Sequence, residues 1–90
     1  MPVVWIPALL RDLTGGQQTV TLPGATVGQV IDELERRHPG LASYLVDETG
    51  RLRRHVNVFV GEEPVRDRAA LSDRLGPDAR VFILQALSGG

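Results

Sequence analysis

The chain closes on Ser88-Gly89-Gly90, and the residues just before, Val81-Phe82-Ile83-Leu84-Gln85-Ala86-Leu87, have the composition of a strand running straight into that tail. Glycine has no Cβ, so Gly89 and Gly90 can pass a narrow cleft in extended form and bring a carboxylate to a reacting centre. A frayed end is the plainer alternative. A terminal carboxylate, with a pKa near 3.3–3.7, is ionised at neutral pH and is a poor electrophile, so it must be activated before it can transfer as an acyl group. Other chemistry is sparse. Cysteine is absent, which excludes a disulfide framework, a thiolate metal site and a catalytic thiol on this chain, so any sulfur must come from outside. All ten basic residues are arginine, so the chain has no side-chain amine and could link to itself only through its N-terminal amine.

The remaining candidates have simpler readings. His38 and His55 have no partner at metal-ligand spacing and read as a helix-end residue and a strand-surface residue. Asp67 with Asp73, and Glu62 with Glu63, read as charged turns rather than acid–base pairs. Arg51, Arg53 and Arg54 form a basic cluster, a solvated loop face or a contact for an acidic partner. Gly15-Gly16 precedes no helix start, so it is a turn and not a phosphate cradle.

Ninety residues suit one domain with a modest core. With 42% hydrophobic and 23% charged residues and a formal net charge of −1, the chain has an ordinary globular composition and no electrostatic footprint for nucleic acid. The longest apolar run, Val3 to Leu10, carries Pro7 and falls far short of the about 20 residues of a membrane span. It also lacks the basic flank of a secretory signal, so a cytoplasmic location is expected.

These features need a frame to position them. Val3 to Leu10 is β-prone, Thr14-Gly15-Gly16-Gln17 is a turn signal, and Gln18 to Leu22 alternates, which together predict an N-terminal hairpin. Pro23-Gly24-Ala25 breaks it. Thr26-Val27-Gly28-Gln29 fits a capping box, and Val27, Val30, Ile31 and Leu34 make one apolar stripe of a helix that His38-Pro39-Gly40 stops. Leu41 to Val46 suggests a short helical turn packing Leu41 and Leu45. His55 to Val60 alternates as a strand, Gly61-Glu62-Glu63-Pro64 turns, Val65-Arg66 suggests a short edge strand, and Gly76-Pro77-Asp78 turns into the last strand. One mixed sheet of four to five strands with one main helix packed across one face satisfies both apolar patterns. This is an α+β, ubiquitin-like β-grasp arrangement with the first and last strands adjacent in the centre, spanning 1–86, followed by a tail at 87–90.

On these elements the chain resembles the ubiquitin-like sulfur-carrier proteins of bacteria, which serve thiamin, molybdopterin and cysteine biosynthesis. The resemblance runs through the Thr26-Val27-Gly28 helix start, Val56-Asn57-Val58, Gly76-Pro77-Asp78-Ala79-Arg80-Val81 and the Gly-Gly end. The early turn, the segment from Gly40 to Arg54, and His55 to Val60 with Pro64-Val65-Arg66 look most like the cysteine-synthesis branch, with the molybdopterin synthase small subunit second. Gly61, where asparagine is often found, and Ser88, where alanine is usual, depart from the pattern.

The resemblance implies a carrier cycle. An E1-like, ATP-using activating enzyme adenylates the Gly90 carboxylate, sulfur displaces AMP, and the thiocarboxylate passes its sulfur on. The chain would then be a protein cosubstrate, not an enzyme, with no cofactor of its own. The acceptor would be a cysteine-synthase-type enzyme followed by a metal-dependent peptidase, or a molybdopterin synthase large subunit. A lysine-linked protein modifier and a non-reactive interaction module are the other classes the residues allow. Strand alternation puts Trp5, Phe82 and Leu84 on the sheet face away from the helix, with Phe59 beside them, as a partner surface, and gives Leu87 the role of an apolar anchor for the tail.

Overall fold

The computed structural model describes residues 1–86, so the expected tail at 87–90, with Leu87, Gly89 and Gly90, lies outside the described residues. Five strands form one mixed sheet: β1 Val3–Trp5, β2 Thr19–Thr21, β3 Val56–Val60, β4 Glu63–Pro64 and β5 Arg80–Gln85, in the order β2-β1-β5-β3-β4. β1 and β5 are parallel neighbours at the centre, and every other pairing is antiparallel. The helix α1, Val27–Arg37, buries Val27, Val30, Ile31 and Leu34 as its stripe predicts. These meet Val4, Ile6, Val20, Val56, Val58, Val81 and Ile83 from the inner face of the sheet in one core. The architecture is the ubiquitin-like β-grasp.

The capping box forms with one adjustment. Thr26 accepts from the Gln29 backbone N–H, whereas the Gln29 side chain reaches past the cap to accept from the Ala25 N–H at 2.8 Å. The next donors of the helix, the N–H groups of Val27 and Gly28, go to the carbonyls of Asp73 and Leu71, so the loop before β5 closes the helix start. At Gly24 an added Cβ would meet Val30 Cγ2 at 2.6 Å, which explains a glycine where β2 turns towards α1. Leu41 and Leu45 flank a short 3₁₀ turn, Ala42–Tyr44, and are fully buried.

Two expectations need correction. The β-prone run from Val3 to Leu10 is a strand only to Trp5, and Ala8–Thr14 forms a 3₁₀ helix. Pro7, fixed at φ −63° and without an N–H, ends the ladder, and its carbonyl accepts from Leu10 to open the helical turn. The β1–β2 connection is therefore a long helical loop, ending in the expected Gly15-Gly16 turn with both residues at positive φ. The edge strand is Glu63–Pro64 rather than Val65-Arg66. Gly61, at φ 62°, completes a tight turn that brings Glu63 opposite Val60 and Pro64 opposite Phe59. Pro64 suits this edge, where its missing N–H costs no ladder bond. Val65 then donates one further bond to the Val58 carbonyl and turns into the core.

Candidate functional site at the tail root

The position of β5 determines what surrounds the start of the tail. β5 leaves the sheet between β1 and β3, and its continuation is held by one further bond, from the Ala86 N–H to the His55 carbonyl at 2.8 Å. Because β1 runs parallel to β5, the Ala8–Thr14 loop that follows β1 stands at the same end of the sheet. Because β3 runs antiparallel, the turn that precedes it, Arg53 to His55, also stands there. The end of β5 is therefore flanked by a loop exposing Leu9 and Leu13 on one side and by an arginine-rich turn on the other.

The outer face of the sheet adds a row of side chains. Thr19, Trp5, Phe82, Phe59 and Pro64 are successive register partners across all five strands, and partners in register point to the same side. Trp5 and Phe82 stack with centroids 4.6 Å apart and planes 24° from parallel. Trp5, Phe59 and Phe82 are half-buried, and Leu84, two residues nearer the tail, is 50% exposed. The structure thus brings Trp5, Phe59, Phe82 and Leu84 together on one face, as strand alternation predicts. Stacking covers part of each ring.

The reading of the first strand as running to Leu10 hid Leu9 and Leu13. Leucine at these positions suits a strand as well as a helical turn, and the available signal was Pro7, which argues against a continuous strand.

The other candidate residues have structural work to do. Asp67 accepts from the N–H groups of Ala69, Ala70 and Ser72 and from the Ser72 hydroxyl. Those bonds, the one from Ala70 foremost, hold its carboxyl at about 2. Asp73 accepts from the N–H groups of Arg66 and Asp67. The two carboxylates fold the 66–73 loop around themselves, and that loop lines a 460 Å³ depression with Glu63, Pro64 and Arg74. Leu71 sits there at φ 56°, a left-handed conformation costly for a side chain with a Cβ, and is buried all the same. Among the described residues no cluster of three His, Cys, Asp or Glu could hold a metal, and no helix is long and apolar enough to cross a membrane. His38 donates its backbone N–H to the Leu34 carbonyl, closing α1.

Residues 4–90 match the ThiS family. The sulfur carrier protein CysO of Mycobacterium tuberculosis is 40% identical over 89 residues, covering 97% of this chain and 96% of that protein. The crystal structure of the Amycolatopsis orientalis BexX/CysO complex contains a chain that superposes with a TM-score of 0.90 at 40% identity, over the whole of both chains. Small archaeal modifier protein 1 of H. volcanii superposes with a TM-score of 0.74 at 27% identity, over 96% of this chain and 97% of that one. A ubiquitin-like sheet whose central strand runs into a Gly-Gly end, matched almost end to end by sulfur carriers, identifies the lineage: the chain belongs to the ThiS family and is a homologue of the sulfur carrier protein CysO.

Proposed function

We propose that this protein carries sulfur as a thiocarboxylate on Gly90 and donates it in cysteine biosynthesis. The observation that supports this most is a family match that continues to residue 90, on a chain whose central strand leads directly into the Gly-Gly tail. An E1-like activating enzyme transfers AMP from ATP to the Gly90 carboxylate with release of pyrophosphate, and a sulfide equivalent then displaces AMP. The ATP belongs to that enzyme and the carrier holds no cofactor. The carrier acts as a cosubstrate in the cytoplasm and supplies position rather than acid, base or metal. Trp5, Phe59, Phe82 and Leu84 dock the activating enzyme, while Leu9 and Leu13 extend the apolar contact to the β1 side of the tail.

The acceptor we favour is a cysteine-synthase-type enzyme that presents an aminoacrylate formed from an activated serine. Leu87 anchors the tail in its cleft while Gly89 and Gly90 pass the narrow part. The thiocarboxylate sulfur adds to the β-carbon of that acceptor to give a Gly90 thioester. The amino group of the resulting cysteine attacks the thioester carbonyl and expels the thiol in an S-to-N acyl shift, and a metal-dependent peptidase hydrolyses the amide to release cysteine. Intact-mass analysis after incubation with the activating enzyme, ATP and a sulfur donor is expected to show one oxygen replaced by sulfur. Adding the synthase and activated serine is expected to give a chain heavier by one cysteine residue. An unmodified mass under conditions that load a known carrier ends the sulfur reading. Dithiolene formation with a molybdopterin synthase large subunit, without a cysteine adduct, moves the chain to that branch.

The likeness to small archaeal modifier protein 1 favours one second reading, conjugation of Gly90 to lysines of other proteins. Its mark is a Gly-Gly remnant on cellular lysines that disappears when the carrier is deleted.

A further inference from the structure

The arginine-rich turn beside the tail is absorbed neither by the fold nor by the apolar face. Arg51, Arg53, Arg54 and His55 line one depression of 330 Å³ together with Leu52 and a single carboxylate, Asp47. That carboxylate is already committed, accepting from the N–H groups of Thr49 and Arg51 and from the Thr49 hydroxyl. Arg53 is half-buried and donates to the Ser43 carbonyl. Arg51 and Arg54 are exposed, and among the described residues neither has a carboxylate within 4.0 Å. Arg68 lies behind, its guanidinium donating to the carbonyls of Arg53 and Val56, and so braces the turn that presents Arg54. These charges are concentrated on a chain whose net charge is −1.

Their position is what gives them meaning. The His55 carbonyl is the partner of Ala86, so the cluster stands at the point where the tail leaves the sheet. Four residues span at most about 14 Å when fully extended. An enzyme acting on the Gly90 carboxyl must therefore bring its own surface within that distance of the tail root, and on the β3 side it meets Arg51 and Arg54. An unpaired guanidinium fork covered by a protein needs a carboxylate opposite it, because burying it unpaired costs more than the contact gains.

We propose that Arg51 and Arg54 form an electrostatic docking site for an acidic rim around the tail-accepting cleft of the activating enzyme. This rests on the sulfur-carrier reading and adds a second, charged determinant on the side of β5 opposite Leu9 and Leu13. Rim charges act chiefly on encounter, so they govern KM and its salt dependence and leave the chemical step alone.

The test is ATP-dependent pyrophosphate release by the cognate activating enzyme, measured with the full chain at 50 and 300 mM sodium chloride. At low salt the double variant Arg51→Glu/Arg54→Glu is expected to raise KM about 10- to 100-fold with kcat unchanged. The wild-type kcat/KM is expected to fall with salt, while that of the variant stays flat or rises. The milder pair Arg51→Gln/Arg54→Gln is expected to lie between them, and both pairs to melt as the wild type does.

Arg36→Glu/Arg37→Glu makes the same change in net charge on α1, where Arg37 reaches the Thr21 carbonyl at the end of the sheet remote from Gln85. It is expected to leave KM within about twofold, since exposed charges beyond a Debye length are screened. Turnover of the wild type with KM unaltered in both Arg51/Arg54 pairs overturns the docking site alone. So does an equal loss in the Arg36/Arg37 pair, or a fall in kcat at constant KM. No turnover with the wild-type chain overturns the sulfur-carrier reading and the docking site with it. Binding of a labelled single-stranded oligonucleotide that the Glu pair abolishes, with enzyme turnover unchanged, assigns the cluster to nucleic acid instead.

Discussion

The two faces of the sheet are built from the same alternating strands and filled with different kinds of side chain. The inner face presents Val4, Val56, Val58, Val81 and Ile83, each at most 2% exposed, to the apolar stripe of α1. The outer face presents Trp5, Phe82 and Phe59 in one half-buried row, with Leu84, half exposed, two residues further along β5. Branched aliphatic side chains fill a closed interior at high density. Aromatic rings offer a large rigid area at low entropic cost, and residues of that kind dominate contacts with partners. The contrast separates the side chains the sequence needs in order to fold from the proposed docking surface.

Substituting the same charge on each face gives the widest break. Val58→Asp puts a carboxylate into a closed core of aliphatic side chains. Against a typical total stability of about 5–15 kcal/mol, that is expected to abolish cooperative unfolding at neutral pH, as followed by circular dichroism. Phe82→Asp, one strand over, is expected to keep a cooperative melt and to weaken binding of the activating enzyme by at least about 10-fold, since a buried apolar side chain contributes about 1.5–3 kcal/mol. Loss of the fold in Phe82→Asp would make the row a second core and remove it as a docking surface.

A subtler change sharpens the comparison from the inner side. Gly24→Ala forces a Cβ against Val30 within the stripe of α1, so the helix must shift or the β2–α1 turn must open. The expected cost is about 1–3 kcal/mol in denaturant unfolding, with binding through the outer face unchanged once the protein is folded. A variant as stable as the wild type would mean that the turn has room to relax.

Most of this contrast was legible in the sequence, because it rests on periodicity. A two-residue alternation in Val56-Asn57-Val58-Phe59 and in Val81-Phe82-Ile83-Leu84 assigns each residue to a face, and the 3.6-residue stripe from Val27 to Leu34 marks what the inner face packs against. What escaped depends on contacts between residues distant in sequence. Ala8 to Thr14 has no period that distinguishes a strand from a 3₁₀ turn, so the sequence does not place Leu9 and Leu13 beside the end of β5. Glu63–Pro64 pairs with β3 only because Gly61 turns at positive φ, which glycine permits and does not announce. Arg51, Arg53 and Arg54 read as a solvated loop face or a contact for an acidic partner, and their place beside the end of β5 follows from one backbone bond between Ala86 and His55. Asp67 and Asp73 looked like surface charge because the N–H groups they accept from belong to a loop without periodicity.

The smallest expected effect concerns that loop, which closes the start of α1. Asp67 has a folded pKa of about 2, below the ordinary 3.8, because the Ala70 N–H, the Ser72 hydroxyl and further N–H groups bind its ionised form. A carboxyl depressed on folding adds stability that is complete above its unfolded value and is lost as the pH falls through the folded value. The contribution of Asp67 is therefore present from about pH 4 upwards and disappears towards pH 2. Glu33, Glu35 and Asp47 are lowered as well, by Arg36, by the Gly40 N–H and by the Thr49 hydroxyl respectively, so acid destabilises the wild type through several groups at once. Asp67→Asn isolates one of them. It is expected to be less stable than the wild type at pH 7, with the gap in midpoint narrowing as the pH falls from 4 to 2. Amide exchange at Val27 and Gly28, whose N–H groups the loop carbonyls accept, is expected to quicken in the variant at pH 7, while exchange in β1 and β5 is unchanged. A gap that stays constant with pH would mean that Asp67 acts through shape rather than charge. A loss of protection in β1 and β5 equal to that in α1 would mean that the loop supports the whole sheet and not one side of it.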